Sequence, residues 1–352
     1  MKKTLVVLAA LLLCPAVQAR KPKIKTLLSA FEAAKTDERI RLAAALGRRK
    51  NKKTTDALLL AFDVKRGDPR ESAAYVDALG QAGDPRAVEP LAAAWDYLRS
   101  LILPMGGLPG QLQVLSEKIL DALSRLGGDR AVRVLFEALA DPDPRVAQEA
   151  VRGLGRLRVK DAVPVLQQKL AAGASGNLLQ AICEALGDIG DKRALSTLEK
   201  SAANPDTLVA AEVSYSLVKL GKKEDLVRLQ GFLEGDSGAG AAGLLAAYYL
   251  VKLDKDAGLE YLEKTMKKRD SALAPVAAET LGKTGNPRAV LVLIEVLQAP
   301  DSAVRLSVAR ALGRLGGPRA VTALKKLRAD PDPGVSGAAV NSLNDLGEID
   351  LR

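Results

Sequence analysis

The 352-residue sequence predicts an all-α protein, an α-solenoid of stacked antiparallel helix pairs with a period of about 31 residues. Three observations carry that prediction. Aromatic residues make up only 3% of the chain while Ala, Leu and Gly dominate, which suits closely packed helices better than strands. One block of eleven residues recurs, as "ALGQAGDPRAV" from Ala78, "ALSRLGGDRAV" from Ala122, "ALGDIGDKRAL" from Ala185, "TLGKTGNPRAV" from Thr280 and "ALGRLGGPRAV" from Ala311. Within each recurrence the apolar residues fall three and four apart, the spacing of one helical face.

The first segment, "MKKTLVVLAALLLCPAVQARKPK", places two lysines before an unbroken apolar run from Leu5 to Leu13, then Val17-Gln18-Ala19 as a small-x-small cleavage site. This pattern predicts a secretory signal peptide over 1–19, too short to cross a bilayer, and an exported chain, periplasmic or secreted. Lipidation at Cys14 is disfavoured, because Leu13 stands where a small residue is wanted and Pro15 follows. No later apolar run approaches membrane-spanning length. Loss of Lys2 and Lys3 leaves 50 of the 52 basic residues against 42 acidic ones, a balance of +8. Cys183 is then the single thiol, so no internal disulfide forms, and its place in "NLLQAICEALG" predicts a buried helical residue.

The rest of the chain, 20–352, reads as one array of about ten repeats. Blocks begin at Ala45, Ala78, Ala122, Gly153, Ala185, Ser216, Tyr249, Thr280, Ala311 and Ser342. Their second residue is always leucine, from Leu46 to Leu343. Apolar partners such as Ile119 or Val308 lie four residues before it, and Leu126 or Leu315 three after. Asp68, Asp143, Asp206, Asp270, Asp301 and Asp332, ten residues before their blocks, are placed to cap a helix start. Gly83, Gly127, Gly190, Gly221, Gly285, Gly316 and Gly347 are placed to end it. This is helix A of each repeat. After a short turn, with proline ready at Pro85, Pro287 and Pro318, helix B carries an equally constant leucine: Leu58, Leu91, Leu135, Leu166, Leu198, Leu229, Leu262, Leu293 and Leu324.

These repeats, as in "DPDPRVAQEAVRGLGRLRVKDAVPVL" and "DSAVRLSVARALGRLGGPRAVTAL", resemble the HEAT-like repeat of the phycobilisome-lyase type over nearly all of the mature chain. The resemblance implies an α-solenoid whose concave side is lined by B helices. It implies little about function, since scaffolds, adaptors and some enzymes share the repeat. It also implies that arginines at the start of helix B, here Arg86, Arg130, Arg193, Arg288 and Arg319, form a structural ladder with aspartates of neighbouring turns, the capping aspartates being suitable partners. Asp161, Glu224 and Ala257 interrupt the arginine row.

Two departures from the repeat are candidate sites. The interval of 44 residues between Ala78 and Ala122 holds an insertion near 99–111. Its residues, with those just before them, offer Trp95, Tyr97, Leu101, Met105 and Leu108 as an apolar partner-binding loop; the alternative is an extension folded back on its own helix. Near the start, Arg39, Arg41, Arg48, Arg49, Lys50, Lys52 and Lys53 are candidates for an anionic surface, against the alternative of a soluble cap on the first repeat. A third irregular stretch, "EGDSGAGAAGLLAAYYLVKLDKDAG", reads as a degenerate repeat, with a hinge as the alternative.

The chain contains no histidine and one mature cysteine, which removes the commonest acid-base catalyst and the usual zinc ligands. No phosphate loop or nucleophile motif stands out, so neither catalytic residues, metal nor cofactor are expected. The resulting expectation is a non-enzymatic scaffold or adaptor of the cell envelope that binds a protein or peptide along its helices. The alternative is a binder of an anionic polymer or membrane surface. Nucleic acid is disfavoured because the outward positions of the B helices are mixed in sign, and a lyase is set aside because those of this repeat type act in the cytoplasm.

Overall fold

The computed structural model describes residues 23–105, 108–234, 240–268, 271–346 and 348. The expected signal peptide, with Cys14, and the expected caps Asp270 and Gly347 lie outside them. Every regular element among the described residues is a helix, and none is long and apolar enough to cross a membrane. Packing divides the chain into two compact units at Ala194 and Leu195.

In the first unit, α1 (Ile24–Ala33) precedes five A helices: α2 (Thr36–Gly47), α4 (Pro69–Ala82), α6 (Gly110–Leu126), α8 (Pro144–Arg156) and α10 (Gly176–Ile189). Between them run the B helices α3 (Lys52–Ala61), α5 (Val88–Met105), α7 (Asp129–Ala138) and α9 (Val163–Ala171). The second unit opens on B helix α11 (Leu195–Ala202). Four A/B pairs follow: α12 (Thr207–Lys219) with α13 (Glu224–Gly231), α14 (Ala241–Lys252) with α15 (Asp256–Lys267), α16 (Ala274–Thr284) with α17 (Ala289–Glu295), and α18 (Ser302–Leu315) with α19 (Gly317–Leu327). A final A helix, α20 (Pro333–Asp345), completes it.

The constant leucines explain the architecture. All ten block leucines, Leu46 through Leu343, and all nine B-helix leucines, Leu58 through Leu324, are buried. A lone helix pair could not cover both rows, so each repeat completes its neighbour's core. The A helices stack closely. A Cβ on Gly155 would lie 2.7 Å from the Cα of Ala185, and one on Gly282 equally near the Cα of Ala311, so the third residue of one block sits against the small first residue of the next. Successive B helices meet over fewer residues, which leaves shallow grooves between them.

Helix starts follow the expected chemistry at Asp68, Asp143, Asp206, Asp301 and Asp332, each of which accepts from the backbone N–H two residues on. The structure also explains the doubled Asp-Pro motif. Asp141 accepts the N–H of Asp143 and pairs with Arg99 at 3.1 Å, while Asp330 accepts the N–H of Asp332 and holds Arg305 through two bonds of 2.8 and 3.0 Å. The first aspartate thus ties the loop to another helix, and the second caps the helix that follows. In the 44-residue interval, α5 runs on to Met105 and α6 already starts at Gly110, so longer helices take up most of the extra length.

Candidate functional site

The turns between A and B helices bring charges together at regular spacing. Arg86 donates through Nη2 to Asp84 in its own turn at 2.6 Å and through Nη1 to Asp56 of the preceding B helix at 2.6 Å. Arg130 reaches Asp96 of the preceding B helix. Arg193 pairs with Asp191 at 2.7 Å and donates to the carbonyl of Lys160, one turn earlier in the stack. Arg288 meets Asp254, at 3.3 Å, and Asp256. The acids of these four arginines come from the turns and B helices and not from the aspartates that cap the A helices, because those carboxylates lie at the opposite end of the repeat and are occupied by backbone N–H groups. Hydrogen bonds from Arg86 and Arg193 hold the Asp84 and Asp191 carboxyls below their ordinary value. Arg319 differs from the other four. Among the described residues no carboxylate lies within 4 Å of it.

A second row, on the A helices, has no counterpart in the sequence reading. Asp77 pairs with Lys118 at 2.7 Å, and Asp121 with both Arg125, at 2.6 Å, and Arg156, at 2.9 Å. In the irregular repeat the same two positions hold tyrosine and lysine: the Lys252 ammonium lies 5.3 Å from the Tyr215 ring and 5.4 Å from that of Tyr248, while Tyr215 stacks on Tyr249 at 4.3 Å. The ion pair of the regular repeats is replaced there by a cation–π contact. For Asp121 and the two tyrosines the signal was available as the residue just before a block and the fourth within it, whereas Lys118 stands four residues before its block, and only geometry shows which of these face each other across repeats.

Between α6 and α8 this surface holds a perturbed carboxyl. Glu117 places Oε1 in a buried position with no hydrogen bond, 3.6 Å from Nε of Arg145, and burial pushes its carboxyl up against the opposing pull of that guanidinium. Gln113, one turn earlier, is buried too, and its Nε2 has no hydrogen-bond partner among the described residues. Around them Arg145 pairs with Asp143 at 3.0 Å and Arg152 with Glu149 at 2.5 Å. A carboxyl raised by burial beside guanidinium groups is a candidate acid–base group.

The other expected residues are dispersed. Trp95 is a core residue, 1% exposed, with the Arg99 guanidinium 5.7 Å from its ring, so it presents no free face to a partner. Tyr97 and Leu101 are half-buried on α5, and the Lys65 ammonium lies 5.4 Å from the Tyr97 ring. Leu108 is half-buried in the short link to α6, while the side chain of Met105 is outside the described residues. In the basic cluster, Arg39 is tied inward: its Nε donates to the Phe31 carbonyl and Nη1 lies 3.8 Å from Glu71. Arg49 is half-buried, whereas Arg41, midway along α2, and Arg48, Lys50, Lys52 and Lys53, around the end of α2 and the start of α3, are exposed. Cys183 is fully buried.

Comparison with known proteins adds chemistry to this frame. The chain is 36% identical over 129 residues to the phycocyanobilin lyase subunit alpha of a Picosynechococcus species, a match that takes in 33% of this chain and 45% of that relative. It thus spans less than half the length of the curated relative it matches. Among solved structures, human deoxyhypusine hydroxylase is similar over 76% of this chain and all of its own, at 21% identity and a TM-score of 0.41. The complex of CpcE and CpcF of phycocyanin lyase from Nostoc sp. PCC7120 is similar over 92% of this chain and 96% of its own, at 18% identity and a TM-score of 0.31. The lyase relative overturns the expectation of a non-enzymatic scaffold and, with it, the expectation that the chain is no enzyme. The physical reason is that missing histidines and thiols remove particular catalysts, not catalysis, and a raised carboxyl among arginines is beyond the reach of motif spacing. HEAT repeats match residues 113–175, 163–247 and 259–344, and a PBS lyase HEAT-like repeat matches 73–94; with more than half of its length so matched, the chain belongs to the HEAT-repeat proteins.

Proposed function

We propose that this protein is a lyase subunit that acts on a linear tetrapyrrole of the phycocyanobilin kind together with a second subunit. The observation that carries the reading is the 36% identity over 129 residues to a phycocyanobilin lyase subunit, whose name also supplies the multi-subunit character. A lyase adds a group across a double bond or eliminates it, and either direction needs a proton delivered or removed at a chosen atom.

The test is a titration of phycocyanobilin with the full chain, followed by visible absorption. A bound tetrapyrrole held extended shows a sharpened, red-shifted long-wavelength band, and that is the expected result. An unchanged spectrum at roughly 100 μM protein, well within the usual range of enzyme–substrate affinities, would remove the reading.

A further inference from the structure

The first four arginines of the turn ladder meet carboxylates of this chain, and the fifth, Arg319, meets none among the described residues. It stands instead on the rim of a groove of about 250 Å³ between α17 and α19. Ile294, Leu297, Pro318 and Ala323 form an apolar floor, and Lys326 shares the rim with Arg319. Both cations are exposed, and Lys326 likewise has no described ionic partner. They lie seven residues apart on one helix, about 10 Å along its axis.

Among the described residues no carboxylate pairs with either cation, and Glu348 pairs with Lys325 at 3.4 Å. Glu295, the single carboxylate of α17, is bound to Lys267 at 3.0 Å. Residues 302–328, which make up α18 and α19, contain Arg305, Arg310, Arg314, Arg319, Lys325, Lys326 and Arg328 and no acid at all. An apolar strip flanked by two unpaired cations is complementary to a flat apolar molecule with two carboxylates on one edge. A linear tetrapyrrole has this form, with propionates on its two inner rings.

We infer that the α17–α19 groove seats the tetrapyrrole, its inner rings on Ile294, Leu297, Pro318 and Ala323, and its propionates on Arg319 and Lys326. This rests on the proposed lyase reading and gives it a place. The groove holds only the middle of so large a ligand and leaves the outer rings free.

Biliverdin and its dimethyl ester, which differ only in the two charges, separate the possibilities. Each is titrated against the full chain, against R319Q/K326Q, and against R310Q/R314Q, which removes the same charge from exposed positions on α18 that do not line the groove. The expected result is free-acid binding at least about tenfold tighter than ester binding, a preference abolished in R319Q/K326Q and kept in R310Q/R314Q. Equal binding of acid and ester, or a preference that survives in R319Q/K326Q, overturns the groove while the lyase reading stands. Binding of neither compound, with phycocyanobilin also unbound, overturns both.

Discussion

Lys50, Arg158 and Asp254 are the non-glycine residues with positive φ among the described residues, at 46°, 53° and 57°. Each occupies the sixth place of its block, where Gly83, Gly190 and Gly285 end their helices in the same left-handed conformation. Side chains there cost about 1–2 kcal/mol, and a glycine adds back about 0.4–1 kcal/mol of unfolded-chain entropy. Arg158→Gly, at an exposed position, should therefore stabilise the protein by roughly 0.5–1 kcal/mol, read as a higher urea midpoint; a lower midpoint would mean that Arg158 makes a contact worth more than its strain. Asp254→Gly should gain nothing, because it also removes a partner of Arg288. The Arg305–Asp330 pair behaves in the opposite way. Both side chains are largely buried, and Arg305→Ala leaves the Asp330 charge without its partner, at a cost of about 3–5 kcal/mol. Bonds from Arg305 hold the Asp330 carboxyl below its ordinary value of 3.8, so the stabilisation is present above that pH and is lost as pH falls through the lowered value. The gap between wild type and Arg305→Ala should be full at pH 7 and narrow below about pH 4; a gap independent of pH would assign it to packing.

At the scale of helices, the seam between successive A helices decides the sign of a glycine substitution. Gly→Ala in a helix interior normally gains roughly 0.5–1 kcal/mol. At Gly337 in α20 nothing lies within 4 Å of a new Cβ, so that gain should appear in full. At Gly155 the new methyl would meet both the Cα and the Cβ of Ala185 at 2.7 Å, and overpacking of about 1–3 kcal/mol should reverse the sign. Parallel denaturation of G337A and G155A checks this; two shifts of the same sign would mean that α8 and α10 can move apart freely. The leucine rows, the aspartate caps and the helix order were legible in the sequence because each depends on spacing within one repeat. The partners of Arg86 and Arg288 were not, since Asp56 and Asp256 lie 30 and 32 residues earlier and at different places in their helices. Glu117 was still less visible: its character comes from burial between α6 and α8, and no residue pattern records that.

For the molecule as a whole, a stack in which each repeat touches only its neighbours spreads stability along the chain as a sum of local interfaces. The division at Ala194 and Leu195 adds a boundary to that picture, with the core from Leu244 to Leu343 lying wholly in the second unit. The buried carboxyl of Glu117 and the proposed tetrapyrrole groove beside Arg319 fall in different units. Damage at one should therefore spare the fold of the other. Arg305 links α18 to the loop before α20, and Arg305→Ala should lower amide hydrogen-exchange protection in α16 through α20. Protection in α2 through α10 should stay at the wild-type level, because no interface of those helices is touched. Peptide-resolved exchange on the full chain reads both regions in one experiment. A uniform loss across the chain would show that the units open together, and the groove and Glu117 would then have to be treated as parts of one cooperative body; a loss confined to residues after Leu195 would leave variants in either region interpretable on their own.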